Sequence, residues 1–188
     1  VKVSRANYND ATASATLTIT KQAIELTADS GSWTYDASEH TKPSYTITDG
    51  SFATGEGLTS ATFAAASAIT NVGSVANTIT GVTPKAGTQE NDYAFTYKAG
   101  TLTITNATFS VTLTGGSWTY NGGAHSATLT GTQSSDTIEY RTSTNGGTTW
   151  STWSSTKPSV THVSDGPMQV QVKVSRANYN DATASATL

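Results

Sequence analysis

The chain has 188 residues, a net charge of −3, no cysteine and only 12% charged residues. This balance offers no basic footprint for nucleic acid and no polybasic patch for an anionic membrane. No apolar run approaches the ~20 residues of a transmembrane helix, so no membrane insertion is expected of this segment. Thr supplies about a fifth of the chain, and its β-branched side chain favours extended backbone while its hydroxyl keeps an exposed strand face wet without charge.

Strand patterning runs almost from end to end. Residues 1–20 read as closing strands around "SRANYND". "AIELTA" then alternates strictly between apolar and polar, and "SYTIT", "TSATFAA", "VANTITGV", "YAFTY" and "GTLTIT" follow as further strands. The Ala-rich "ATFAAASAIT" is the one stretch with a short helix as an alternative. Beyond residue 105, "TFSVTL" alternates again, and "HSATLTG", "TIEYRTS", "TTWSTW", "PSVTHV", "MQVQVKVSRA" and "TASATL" complete the set. Turn signals such as "TDGS", "ATGEG", "NGG" and "SDGP" separate them.

Two repeats are superimposed on this pattern. "VKVSRANYNDATASATL" occupies both Val1–Leu17 and Val172–Leu188, displaced by 171 positions. At about half that period, "GSWTYDASEH" (Gly31–His40) aligns with "GSWTYNGGAH" (Gly116–His125), and "TLTIT" at Thr16 aligns with "TLTIT" at Thr101. The chain therefore reads as alternating modules. Residues 1–20 are the C-terminal strands of a preceding B-type module, 21–105 are module A, and 106–188 are a module B lacking its last few residues. The predicted class is all-β, with small immunoglobulin-like β-sandwich modules in an elongated tandem array. β-Grasp-like modules are the alternative. The repeated ends are explained by such an array, with deliberate permutation or an N-terminal strand that completes a neighbour as the other readings.

The frame "ITKQAIELTADSGSWTYDASEH" followed by "NDYAFTYKAGTLTIT" resembles the MBG/YDG-type repeats of large bacterial surface proteins and adhesins. Module B keeps "WTYNGG" and "ANYNDATASATL" but departs in its Trp-rich middle. The resemblance implies an extracellular location at the bacterial cell surface, tandem arrays forming stalks or fibres, neighbouring modules as partners, and no catalytic residues. A glycan-binding role for module B and self-association into a filament are the alternatives.

Candidate chemistry is sparse. "STNGGTTW" (Ser143–Trp150) is similar to the Asp-box hairpin of sialidases, with Asn145 in the Asp position, and is expected to build a turn. Trp150 and Trp153, three apart on a predicted strand, should face opposite ways, leaving one free to stack on a sugar or a neighbouring module. Trp33 and Trp118 hold equivalent repeat positions, as do Tyr35 and Tyr120; with Tyr93 and Tyr179 they read as structural framework, in or near the core. Nothing in the spacing of His40, His125 and His162 suggests a metal site. Ser has no nucleophile-elbow context, and the carboxylates are scattered. No enzyme activity and no cofactor are expected. Calcium at a module junction and a Lys21 isopeptide bond are minor alternatives.

Overall fold

A computed structural model describes residues 1–188 and shows an all-β protein. In chain order its strands are β1 (Lys2–Val3), β2 (Ala11–Thr12), β3 (Gln22–Ala28), β4 (Gly31–Thr34), β5 (Tyr45–Asp49), β6 (Leu58–Phe63), β7 (Gly73–Asn77) and β8 (Ile79–Pro84). There follow β9 (Tyr93–Lys98), β10 (Gly100–Thr105), β11 (Thr112–Thr114), β12 (Thr128–Thr130), β13 (Thr137–Ser143), β14 (Gln169–Ser175) and β15 (Ala182–Thr187). Contacts divide the chain into two compact units. The first comprises residues 1–30, 42–67 and 76–100; the second comprises 31–41, 68–75 and 101–188.

The first unit is organised by β3. Its every-second-residue pattern buries Ile24, Leu26 and Ala28, and fully burying each of the two larger side chains stabilises by about 1.5–3 kcal/mol. β3 is the middle strand between β5, antiparallel, and β9, parallel. Tyr93, Ile79, Phe52 and Phe95 close over the same core. On the outer face Glu25 meets Lys98 at 2.9 Å. The buried Asn77 donates through Nδ2 to the carbonyls of Asp29 and Lys42, both at 2.8 Å, and so ties two loops together.

In the second unit β13, β14 and β15 form an antiparallel sheet. Val170, Val172 and Val174 alternate inward from β14 onto Leu113, Ala127 and Tyr140. β10 lies between β4 and β7. It runs parallel to β4, with Leu102 opposite Gly31 and Ile104 opposite Trp33. Leu102 and Ile104 are buried against Ile69, with Trp33, Tyr35 and Val75 around them.

Three expected elements differ. "TTWSTW" is not a strand. Thr142 receives Ser151 at its carbonyl, but the Thr142 N–H goes to the Ser151 hydroxyl, and backbone pairing resumes only between Tyr140 and Ser154. A side chain thus replaces a ladder bond. "PSVTHV" contributes one bridge, Val160 to His125, before a 3₁₀ turn at Val163–Asp165. "ATFAAASAIT" forms no helix: it ends β6, and Ala64 and Ser67 both bond Thr78.

The two identical segments make the same hairpin. Lys2 faces Thr12 and Val3 faces Ala11, as Lys173 faces Thr183 and Val174 faces Ala182. Both loops turn through a left-handed Asn, Asn7 at φ 66° and Asn178 at φ 67°. The tyrosine N–H of each closes on the Arg carbonyl three residues back at 3.1 Å. Burial, however, differs completely: Val174 is 0% exposed and Val3 is 61%. The hairpin is encoded locally, and its environment is not.

One position of the repeat is strained in only one module. Ala37 has φ 65°, and its equivalent Gly122 has φ 79°. A side chain in this region crowds the following carbonyl, whereas glycine adopts it freely. Ala37→Gly is therefore expected to stabilise by about 0.5–1 kcal/mol, and Gly122→Ala to destabilise by about 1 kcal/mol. Urea midpoints of the two variants should move in opposite directions.

Candidate functional site

The repeated "GSWTY" motifs build two copies of one turn. In each, the indole lies back over the glycine, so that a Cβ on Gly31 or Gly116 would collide with Trp33 or Trp118. The other side of each indole is stacked on a histidine: Trp33 on His40 and Trp118 on His125, both with ring centroids 4.7 Å apart. Each histidine is held through Nε2, His40 by Asp36 at 3.0 Å and His125 by Asn121 at 3.1 Å. The same acceptor oxygens also cap a backbone N–H, Ser38 and Gly123, at 2.9 Å. The Ser38 amide, and after it His40, hold the Asp36 carboxyl below the usual carboxylate range. Finally, His40 bridges to Ile69 as His125 bridges to Val160.

The surroundings of the two turns differ. Beside Trp33 runs β10, and over Tyr35 sits Tyr179, edge-on at 5.5 Å and also in contact with Phe109 at 5.6 Å. Asn178 accepts the Val72 N–H at 2.9 Å and donates to Asn71 Oδ1 at 3.1 Å. The loop carrying both is anchored by Arg176, whose guanidinium lies 4.1 Å from the Phe109 ring centre and pairs with Asp136 at 2.8 Å. All these residues belong to the second unit.

Around the other turn no strand occupies the position of β10. Trp118 is 41% exposed, Tyr120 is 61% and Val163 is 86%. The expectation that Trp118 and Tyr120 lie in or near the core is thus corrected: their partner strand is missing from that edge. A groove of about 280 Å³ opens instead, lined by Trp118, Tyr120, Val160, His162, Val163 and Leu188. Of the other framework residues, Tyr93 is buried, donates to Glu56 and packs on Phe52. Tyr93 pairs in parallel with Gln22 as Tyr179 does with Ala107, which confirms that the two tyrosines are equivalent in the repeat.

The Trp hairpin is closed by its own side chains. Asn145 Oδ1 accepts from the Ser143 hydroxyl and the Thr149 N–H, while its Nδ2 donates to the Thr149 hydroxyl at 2.8 Å. Trp150 and Trp153 do not face opposite ways. The Arg141 guanidinium lies over both rings, at 5.0 and 4.7 Å, and Lys173 lies 5.0 Å from Trp153. Arg141 is fixed by Gln171 at 2.7 Å and Lys173 by Glu139 at 2.6 Å. Cation–π contact of this kind brings two aromatic residues to one side where a strand would separate them.

No family model, no curated protein and no solved structure matches this chain.

Proposed function

We propose that the chain is a structural repeat segment of a bacterial surface stalk or extracellular fibre, built from immunoglobulin-like β-sandwich modules whose task is to span distance. The observation that carries this reading is the clasp formed by Asn178 and Tyr179. It joins residues of module B by sequence (Phe109, Arg176) to residues of module A (Tyr35, Asn71, Val72) through an aromatic stack and two side-chain hydrogen bonds. A boundary held by directional bonds resists hinge motion better than a flexible linker does. The all-β fold and the resemblance to MBG/YDG-type repeats agree with this reading.

The glycan-binding alternative is less well supported, because Arg141 already lies over both indoles that would have to stack on a sugar.

The test is the denatured mass of the polypeptide recovered by protease shaving of intact source cells. The array reading expects a mass far above 19.4 kDa, in steps of roughly 17–18 kDa per A–B pair. A surface-inaccessible chain near 19.4 kDa would sink it.

A further inference from the structure

We propose that the groove beside Gly116–Tyr120 is an acceptor slot for residues 18–20 of a second copy of this chain. They reach it when the second copy's hairpin 1–17 takes the place of its twin, 172–188. In module A the equivalent slot is full. β10, "GTLTIT", runs parallel to β4 and sends Leu102 and Ile104 inward to 0% and 1% exposure. In module B the occupied part stops at Leu188, which stands where Leu102 stands in module A. The Gly116 N–H donates to the Thr187 carbonyl at 3.2 Å, and Leu188 exchanges backbone bonds with Met168. The open groove is the direct continuation of that interface.

The strand that fits is present in the same chain. "TLTIT" recurs at Thr16–Thr20 with Leu17 95% and Ile19 99% exposed, and residues 13–21 carry no strand pairing. Ile19 follows Leu17 at the spacing of Ile104 from Leu102. A copy whose residues 1–17 replaced 172–188 would therefore deliver Ile19 opposite Trp118, as Ile104 lies opposite Trp33.

The exchange is close to neutral over the first seventeen residues. The letters are identical and the hairpin register is the same, so the incoming segment restores the packing and hydrogen bonds that the displaced segment gives up. What decides the balance is Thr18–Thr20, which has no counterpart in the displaced segment. It adds ladder bonds to an unpaired strand edge and buries Ile19 on Trp118, Tyr120 and Val160. Opposed to this is the entropy of joining two chains, so the assembly is concentration-dependent. The contact is head-to-tail and heterologous, and repetition extends it into a linear series. The proposal rests on the equivalence of modules A and B and not on where the protein is found.

The experiment is to refold the 188-residue chain from denaturant over a range of concentrations, which allows hairpins to exchange, and to measure mass by light scattering and amide exchange at residues 116–120. Expected are species at multiples of 19.4 kDa, with those amides slowed relative to the monomer. Ile19→Asp, at a site exposed in the monomer, should leave its circular dichroism unchanged and lower the association constant at least tenfold. A chain that stays monomeric throughout overturns the proposal. So do oligomers that form equally well with Ile19→Asp, or that leave the 116–120 amides exchanging freely, since both would place association on another face. A native chain of 19.4 kDa would end the array reading while leaving this slot standing, and a refolded monomer would do the reverse.

Discussion

Val174→Ala is expected to lower the stability of the β13–β15 sheet by about 2 kcal/mol, whereas Val3→Ala, the same change within the same seventeen letters, should alter stability by less than about 0.5 kcal/mol. Both valines sit in hairpins of one register, so propensity, turn chemistry and neighbours in sequence are matched. The difference lies in what each face meets. Val174 is in contact with a core of Leu113, Ala127 and Tyr140 and leaves a void when its methyl groups are removed. Val3 is 61% exposed and leaves none. Amide exchange of Val172 and Ala184 in each variant, at a concentration low enough to hold the chain monomeric, reads the effect. Equal costs at the two positions would mean that the N-terminal hairpin is packed in solution.

Those twin segments also show which features are legible in a sequence. Strand identity is local: the alternation in "AIELTA" correctly marked Ile24, Leu26 and Ala28 as inward, and "TIEYRTS" coincides with β13. Burial is not local, since identical letters are core in one place and surface in another. The repeated "GSWTY" pointed to Trp33 and Trp118 as equivalents, which they are, down to the histidine each stacks on. It could not show that β10 covers only one of them. The Trp hairpin was read by period two, and that reading failed because the residues that gather both indoles, Arg141 and Lys173, lie on other strands. The clasp was invisible for the same reason: Asn178 meets Asn71 and Val72 across more than a hundred residues. In these cases the decisive partner comes from a distant part of the chain, which no window of local sequence contains.

The second large effect concerns another distant pair, Asp136 and Arg176. The Asp136 side chain is fully enclosed, accepts two guanidinium bonds at 2.8 Å and a third bond from the Gln133 N–H at 2.8 Å. Foremost the Arg176 bonds, then the Gln133 amide, bring its carboxyl from an ordinary 3.8 down to about 2. Because the folded value lies below the unfolded one, this pair contributes stability that is fully present above pH 4 and is lost as the pH falls from about 4 towards 2. Asp136→Asn removes the charge and leaves Arg176 unmatched beside Phe109 and Tyr179. At pH 7 the urea midpoint of the variant should fall well below that of the parent chain, because breaking one side of an enclosed ion pair costs more than never having built it. As pH drops through that window the two midpoints should converge, since the parent loses the charge that the variant already lacks. Other carboxylates titrate in both chains and cancel in the difference. Arg176 also positions the loop that carries Asn178 and Tyr179, so the variant should speed amide exchange at Val72, whose N–H is held by Asn178. A midpoint gap that stays constant from pH 7 to pH 2 would show that Asp136 acts by packing alone. A lowered midpoint with Val72 exchange unchanged would separate the ion pair from the clasp.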